Sequence, residues 1–249
     1  MTLKLLSYNI RFGGVGREDQ LAATIREADP DLVVLQEATD PQVVERLARA
    51  TGMNIWAARP GHSLGFISRQ EVSSYQWHPL PGGKRSFLEV VPAGDEVRIF
   101  GVHLRAIHSH WTERRRVRQL RALLEIIKQH QHGFHVLVGD FNTLAPGELL
   151  DMRLLPFRLR PLVWLSGGYI RWETIQIMLD AGYVDGYRTI HPLDKGFTFP
   201  TWNPHLRLDY IFLPAQHAGR LKVCQVQSES LAGAHASDHL PLLAELEPG

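Results

Sequence analysis

Short apolar runs alternate with helical patterns at the start of the chain. Leu3–Asn9 and Asp31–Gln36 are apolar runs of strand length, and they predict two buried strands. Apolar residues at helical spacing lie between them, and the Asp29-Pro30 pair that follows predicts the end of a helix. The chain therefore opens with a strand, a helix and a second strand.

Local signals predict a second helix after this unit. Asp40 is a suitable N-cap residue, Pro41 suits the first helical position, and Gly52 stands where a C-terminal glycine is common. From Ile55 to Leu104 the pattern changes to strand-like runs separated by Gly, Pro and charged residues, which predicts an antiparallel meander.

The rest of the chain returns to mixed elements. Val117, Leu120 and neighbouring apolar residues predict an amphipathic helix, and His135–Asn142 predicts a buried strand. Three further strand-like runs end the chain. Because no repeat, linker or low-complexity segment divides it, we predict one α/β domain over residues 1–249, with a helical insertion at about 149–178.

Composition narrows the class of protein only slightly. The chain has 249 residues and a net charge of +1, so it lacks the global positive charge expected of a protein that coats nucleic acid. The lone Cys224 excludes an intramolecular disulfide and favours a reducing compartment. No signal peptide or membrane-spanning segment is recognised, and a cytoplasmic location is therefore expected.

Polar residues stand where several predicted strands end, which is where α/β folds collect catalytic groups. Each of these short segments is weak evidence alone, and together they contain the groups that metal-assisted phosphoester hydrolysis needs. Carboxylates and an amide could hold a hard cation, while the remaining carboxylates and the histidines could activate water or contact a phosphate. The segments are SYNIR with Asn9 and Arg11, LQE with Glu37, GVHL with His103, GDFN with Asp140 and Asn142, LDY with Asp209, and SDH with Asp238 and His239.

In this order the segments closely resemble the endonuclease/exonuclease/phosphatase superfamily, and the resemblance extends from Asn9 to Leu242. It implies an α/β fold in four layers, with two mixed β-sheets packed face to face and helices on the outside. It also implies an enzyme that hydrolyses a phosphoester with an activated water and one Mg²⁺ or Mn²⁺ ion. Nucleases and phosphatases both occur in this superfamily.

The resemblance also implies a role for each residue. Glu37 corresponds to the central metal ligand, with Asn9 and Asp238 nearby, directly or through water. Asp140 corresponds to the residue that aligns or activates the attacking water. Asn142 corresponds to a residue that hydrogen-bonds beside Asp140. His239, held by Asp209, and His103 correspond to residues that contact the scissile phosphate. Arg11 corresponds to a residue that supports Glu37 or the phosphate, unless it is a surface arginine.

One position departs from the family pattern. In secreted deoxyribonucleases a carboxylate on a neighbouring strand supports the histidine that corresponds to His103. The matching region here, residues 63–66, contains no carboxylate. The disulfide-forming cysteines of those enzymes are also missing, so the chain is similar to a cytosolic relative.

The sequence leaves the substrate open. DNA or RNA is the first hypothesis, and a small phosphoester or a lipid headgroup is the second. The segment Leu149–Met178 mixes large apolar residues with arginines, which suits either an apolar lid with a basic rim or a helical element packed on the sheet edge. The arginines of Thr112–Arg121 suit a solvated helix face better than a nucleic-acid contact. A catalytically silent binding module is the third hypothesis, although every expected catalytic position is filled.

Overall fold

The computed structural model describes residues 2–81, 85–94, 97–106, 110–149, 151, 153–154, 172–227 and 236–247. Five α-helices, three short 3₁₀ helices and twelve strands are defined in this part of the chain. The helices are α1 (Glu18–Ala28), α2 (Pro41–Thr51), α3 (His110–Ile127), α4 (Glu173–Asp180) and α5 (Gly186–Ile190). The strands are β1 (Leu3–Asn9), β2 (Leu32–Gln36), β3 (Ile55–Ala58), β4 (Leu64–Ser68), β5 (Val72–Pro79), β6 (Ser86–Pro92), β7 (Arg98–His103), β8 (His135–Asp140), β9 (Tyr183–Asp185), β10 (Asp209–Pro214), β11 (Leu221–Val226) and β12 (Leu242–Leu246).

The strands form two mixed sheets of six. The first sheet has the order β11-β12-β1-β2-β4-β3, and the second has the order β5-β6-β7-β8-β10-β9. Each sheet contains one parallel pair, β1 with β2 and β7 with β8, among antiparallel neighbours. These parallel pairs lie near the middle of each sheet, so their carboxyl ends provide a central location for a site.

Alternation along the strands explains the four layers. Leu5 of β1 belongs to the apolar cluster between the sheets, while Leu6 belongs to the cluster beneath α1 and α2. On the second sheet, Phe100 packs with Leu120 and Leu123 of α3. A strand that is apolar on both faces is buried on both sides, because successive side chains point to opposite faces. The predicted four-layer sandwich is therefore confirmed.

The predicted helix ends also agree with the structure. Asp29 follows α1 in a left-handed conformation with φ 46°. The Asp40 carboxylate accepts a hydrogen bond from the Gln42 amide at 2.9 Å, and Gly52 ends α2 with φ 70°. Local side-chain and backbone preferences are sufficient to set these boundaries.

The predicted antiparallel meander needs a correction. β3 pairs with β4 in the first sheet, whereas β5, β6 and β7 pair in the second. The chain changes sheets between Ser68 and Val72, because both sheets must contribute apolar faces to one core. Of the predicted insertion at 149–178, residues 150, 152 and 155–171 lie outside the described residues. Within the described part, no helix combines the length and hydropathy needed to cross a membrane.

Candidate active site

The predicted site residues lie at the ends of the central strands of both sheets. Asn9 ends β1 and Glu37 follows the parallel strand β2, so both lie at the same edge. His103 and Asp140 occupy the same register at the ends of the parallel strands β7 and β8. Asp209 begins β10 and pairs with Asp140 across an antiparallel ladder. Strand topology thus brings together residues that are far apart in sequence.

Asp140 is the centre of the cluster and is almost fully buried. Its Oδ1 accepts the backbone N–H of Asn142 at 2.8 Å, and its Oδ2 accepts the Asn142 side-chain amide at 2.8 Å. The Asn9 amide donates to the same Oδ2 at 3.1 Å. Nε2 of His103 lies 3.8 Å from Oδ2, and Nε2 of His239 lies 3.9 Å from it. A carboxylate therefore faces two imidazoles across a gap that could hold a water or a phosphate oxygen.

Asp209 and His239 form a buried pair. Nδ1 of His239 lies 2.8 Å from Oδ2 of Asp209, so the ring turns its other nitrogen toward Asp140. The Thr198 hydroxyl accepts from the Asp209 backbone N–H at 3.4 Å, and the Ser237 hydroxyl accepts from the His239 backbone N–H at 3.3 Å. The pair is thereby fixed through backbone contacts on both sides.

Burial and neighbouring charges separate the protonation of the three central groups. Burial raises the pKa of Asp140 to about 7, although the His239 charge acts in the opposite direction. Burial lowers the pKa of His239, but the charges of Asp209 and Asp140 outweigh it and raise this pKa to about 10. Burial and the charge of Arg85 lower the pKa of His103 to about 3. The cluster thus contains a cationic imidazole, a neutral imidazole and a carboxylate that ionises near neutral pH.

The same residues lie within a region that matches a known family. The sequence fits the family model described as Endonuclease/Exonuclease/phosphatase family over residues 6–239. The chain belongs to this family. As a member of the endonuclease/exonuclease/phosphatase family it is a phosphoester hydrolase. Among curated proteins, no sequence matches the chain.

Solved structures agree with the fold of this family member. A 3′–5′ exonuclease from Neisseria meningitidis has a TM-score of 0.76 at 24% identity, covering 98% of this chain and 100% of that one. An AP endonuclease from Archaeoglobus fulgidus has a TM-score of 0.72 at 19% identity, and the match covers 98% of this chain and 99% of that one. A 3′ phosphatase from Neisseria, bound to a product DNA hairpin, has a TM-score of 0.74 at 23% identity, and the match covers 98% of this chain and 99% of that one. At these identities the likeness establishes the fold.

Two half-buried carboxylates, Glu37 and Asp238, border the Asp140 cluster. The Glu37 carboxylate accepts the backbone N–H of Phe12 at 2.5 Å, and its other oxygen lies 3.5 Å from the Asn9 amide. Nε of Arg11 lies 3.4 Å from the Asp238 carboxylate. Glu37 itself has φ 57°, a left-handed conformation that is uncommon for non-glycine residues.

The oxygen donors around Glu37 and Asp238 fit a hard divalent cation. Two carboxylates and an amide offer oxygen ligands of the kind that Mg²⁺ and Mn²⁺ prefer. Among the described residues, one oxygen of Glu37 contacts only the Asn9 amide, at 3.5 Å, so it can accept a ligand bond. The amide oxygen of Asn9 accepts from the Arg11 backbone N–H at 3.0 Å, so Asn9 is better suited to orienting the carboxylates or to a water-mediated contact.

A second group of donors could also hold a cation. Ligand atoms of Asp140, Asp209 and His239 lie within 4.8 Å of one another. Asp209 already holds Nδ1 of His239, however, and the cationic His239 carries a proton on Nε2 that would have to be lost before this nitrogen could bind a metal. The donor chemistry therefore favours Glu37 and Asp238.

Sequence analysis missed several residues that complete the site. Thr198 and Ser237 fix the Asp209–His239 pair, and Arg85 donates from Nη1 to the His103 carbonyl at 3.0 Å. Ser237 stands inside the SDH segment and could have been found there. Arg85 precedes β6 without any local signal. The structure also agrees with the absence of a supporting carboxylate beside His103, since its Nδ1 makes no hydrogen bond with any residue in the described part of the chain.

Proposed function

We propose that the chain is a divalent-metal-dependent phosphodiesterase that cleaves nucleic acid with an activated water. The observation that carries this proposal is the buried Asp140 carboxylate, which faces the imidazoles of His103 and His239 at 3.8 and 3.9 Å. A base and two hydrogen-bond donors around one gap are what in-line attack of water on a phosphate requires.

Asp140 is the proposed base. Its ionised form orients a water and accepts a proton from it as the water oxygen bonds to phosphorus. The bond between phosphorus and the leaving ester oxygen breaks, and that oxygen takes a proton from solvent. Asn142 and Asn9 hold the Asp140 carboxylate with their amides, so the carboxylate does not need to reorganise during attack.

The two histidines stabilise the charge that develops on the phosphate oxygens. His239, protonated and paired with Asp209, donates from Nε2, and the buried carboxylate compensates its positive charge. His103 is neutral and donates from Nε2 when its proton is on that nitrogen. Donors that are fixed before the reaction contribute more than flexible ones, because no reorganisation is needed in the transition state.

Glu37 and Asp238 are the proposed metal ligands, with Asn9 orienting them or reaching the ion through water. When bound, Mg²⁺ or Mn²⁺ supplies positive charge that polarises the phosphate and stabilises the leaving oxygen. A Glu37→Gln variant should bind Mn²⁺ at least about 10-fold more weakly in calorimetric titration. Asp209→Asn is the matched control, and a larger loss of binding there would favour the Asp140, Asp209 and His239 group as the metal site.

A nucleic-acid substrate is supported by the similar structures. These structures include a 3′–5′ exonuclease, an AP endonuclease and a 3′ phosphatase bound to a product DNA hairpin. The match covers almost the whole length of each of them. Lipid headgroups and small phosphoesters are the alternatives that the experiment must separate.

Nicking of supercoiled plasmid tests the proposal. We expect nicking with Mg²⁺ or Mn²⁺ that disappears in EDTA and in a His239→Ala variant that remains folded. Hydrolysis of bis(4-nitrophenyl) phosphate is measured beside it. Turnover of this dye without cleavage of plasmid or single-stranded DNA would contradict the nucleic-acid assignment. Full activity of the His239→Ala variant on either substrate would contradict the mechanism.

A further inference from the structure

A cavity of about 560 Å³ lies beside β5 and β6, and one of its lining residues, Arg85, contacts the backbone of His103. It is large enough for a nucleotide-sized group, since ligand pockets commonly measure roughly 300–1,000 Å³. Among the described residues that line it are two arginines, a histidine and apolar walls, with no carboxylate. The main lining residues are Arg59, His62, Trp77, Pro79, Arg85 and Ser86.

Arg85 connects this cavity with the catalytic residues. It lines the cavity and also donates from Nη1 to the carbonyl of His103 at 3.0 Å. Within the described ranges, no carboxylate lies at ion-pair distance from the Arg85 guanidinium. An arginine that is half-buried without an acidic partner retains donors for an anionic ligand, and its planar fork matches a phosphate.

Arg59 is held at the cavity by an aromatic contact. Its guanidinium lies 4.4 Å from the centroid of the Trp77 ring. Trp77 is buried and donates from its indole N–H to the Leu64 carbonyl at 3.0 Å, so the ring is a fixed platform. Across the described residues Arg59 also lacks an acidic partner. The contact orders the guanidinium without neutralising it.

The loop that carries Arg59 is tied to the proposed metal side of the site. The Gly61 backbone N–H donates to the Thr39 carbonyl at 3.2 Å, and the Ala38 N–H donates to the Ser63 carbonyl at 3.1 Å. Thr39 and Ala38 directly follow Glu37 in sequence. The cavity residues are therefore bonded to the segments that carry Glu37 and His103, and the charge of Arg85 interacts with the carboxylates of Asp140 and Glu37.

We propose that this cavity is a second phosphate subsite, which binds the phosphate next to the scissile one in a nucleic-acid strand. Two guanidiniums without acidic partners recognise the anion, His62 adds a polar contact beside Ser86, and Trp77 and Pro79 form the wall for the attached sugar or base. The inference rests on the proposed nucleic-acid function. It assigns Arg59 and Arg85 to substrate binding rather than to the chemical step.

Binding without turnover gives the first test. The probe is a fluorescein-labelled single-stranded DNA of ten nucleotides, followed by anisotropy in EDTA. Arg59→Gln should weaken binding by about 10-fold, since a charge-assisted contact is lost. The slope of log Kd against log salt should fall by about 0.7, as expected for one fewer phosphate contact with a single strand. Arg118→Gln, an exposed arginine on α3, is the matched control and should change neither quantity.

Kinetics give the second test. With Mg²⁺, Arg59→Gln should raise KM for the oligonucleotide by about 10-fold and leave kcat/KM for bis(4-nitrophenyl) phosphate unchanged. The dye has a single phosphate and cannot occupy both subsites. Arg59→Lys should recover part of the loss, because it keeps the charge but not the planar fork. An equal loss on both substrates, or no loss on the oligonucleotide, would overturn the inference.

The two proposals can fail separately. If the wild type hydrolyses neither substrate with Mg²⁺ or Mn²⁺, the proposed function fails. If it hydrolyses the dye but neither binds nor cleaves the oligonucleotide, the hydrolytic chemistry stands and the second phosphate subsite is rejected. If it cleaves the oligonucleotide and Arg118→Gln has the larger effect on binding, the basic face of α3 holds the strand instead, and the inference is again overturned.

Discussion

Replacing Asp209 with asparagine removes the negative charge that faces the His239 imidazole. The Asp209 carboxylate lies 2.8 Å from Nδ1 of His239, and both side chains are buried. The amide is nearly the same size, so the fold should be retained while the imidazolium loses its compensating charge. We expect kcat to fall without a matching rise in KM, because the imidazolium contributes mainly to the transition state.

The structure gives the magnitude of this effect. Burial lowers the pKa of His239, and the carboxylates outweigh burial to raise the pKa from 6.5 to about 10. Since a tenfold change in protonation corresponds to about 1.4 kcal/mol, this rise amounts to roughly 5 kcal/mol. Asp209 is the largest raising contribution and also accepts the hydrogen bond. Without it, the pKa of His239 should fall to 6.5 or lower, and kcat at pH 8 should fall by about 10²- to 10⁴-fold.

The assay is kcat against pH from 6 to 10 with bis(4-nitrophenyl) phosphate and Mg²⁺. The wild type should keep its activity to about pH 9, whereas the Asp209→Asn variant should lose its remaining activity above about pH 6.5. Asp180→Asn, on the exposed surface of α4, is the control and should follow the wild type. An unchanged alkaline limb in Asp209→Asn would refute the reasoning, since it would mean that Asp209 does not maintain the charge of His239.

The raised pKa of His239 also has a consequence for stability. Its protonated form is favoured in the folded state, so the stabilisation is fully present below pH 6.5 and is lost as pH rises toward about 10. The difference in free energy of unfolding between wild type and Asp209→Asn should therefore be largest near pH 6. Urea denaturation at pH 6 and pH 9 measures it, and a difference that grows with pH would contradict this assignment.

Three further predictions concern other residues. Gly139→Ala should prevent correct folding, seen as loss of a cooperative thermal transition, because an added Cβ would lie 1.9 Å from the Val102 carbonyl oxygen; an unchanged Tm would contradict the local geometry. Activity should rise as pH increases through about 7, where Asp140 ionises, and a bound cation should move this acidic limb of the pH–activity profile to lower pH. If the residual activity of Asp140→Asn kept the same acidic limb, the limb would belong to another group. Arg207→Met should lower the free energy of unfolding by about 3–5 kcal/mol, because the buried Arg207 pairs with the buried Asp185 at 2.6 Å and its removal leaves that carboxylate without its ionic partner; urea denaturation measures the change, and a loss below about 1 kcal/mol would contradict it.

The site residues could be recognised in sequence because each stands at the end of a strand within a short segment. Asp140 and Asn142 lie in one such segment, and two of the contacts that hold Asp140 come from Asn142 itself. The family model over residues 6–239 confirms the family that these segments indicated. Their individual roles remain predictions, to be tested by the variants described above.

Other contacts in the site could not be predicted, because they join distant parts of the chain. The Asn9 amide reaches Asp140 across 131 positions of sequence, and only the packing of one sheet on the other brings them together. Arg85 and Arg59 carry no recognisable motif. They gain significance from the Trp77 ring and the His103 carbonyl beside them, which belong to other segments.

Sequence alone determined the end of α1, both ends of α2 and the apolar faces of the strands, since these depend on neighbours within a few residues. Asp29, Asp40 and Gly52 end or begin helices through their own backbone and side-chain preferences. Tertiary structure decided that β4 and β5 belong to different sheets, and that the loop after Arg59 is hydrogen-bonded to the segment that follows Glu37. Strand partners are chosen by burial of both sheet faces in a common core, which is a property of the whole chain rather than of any local segment.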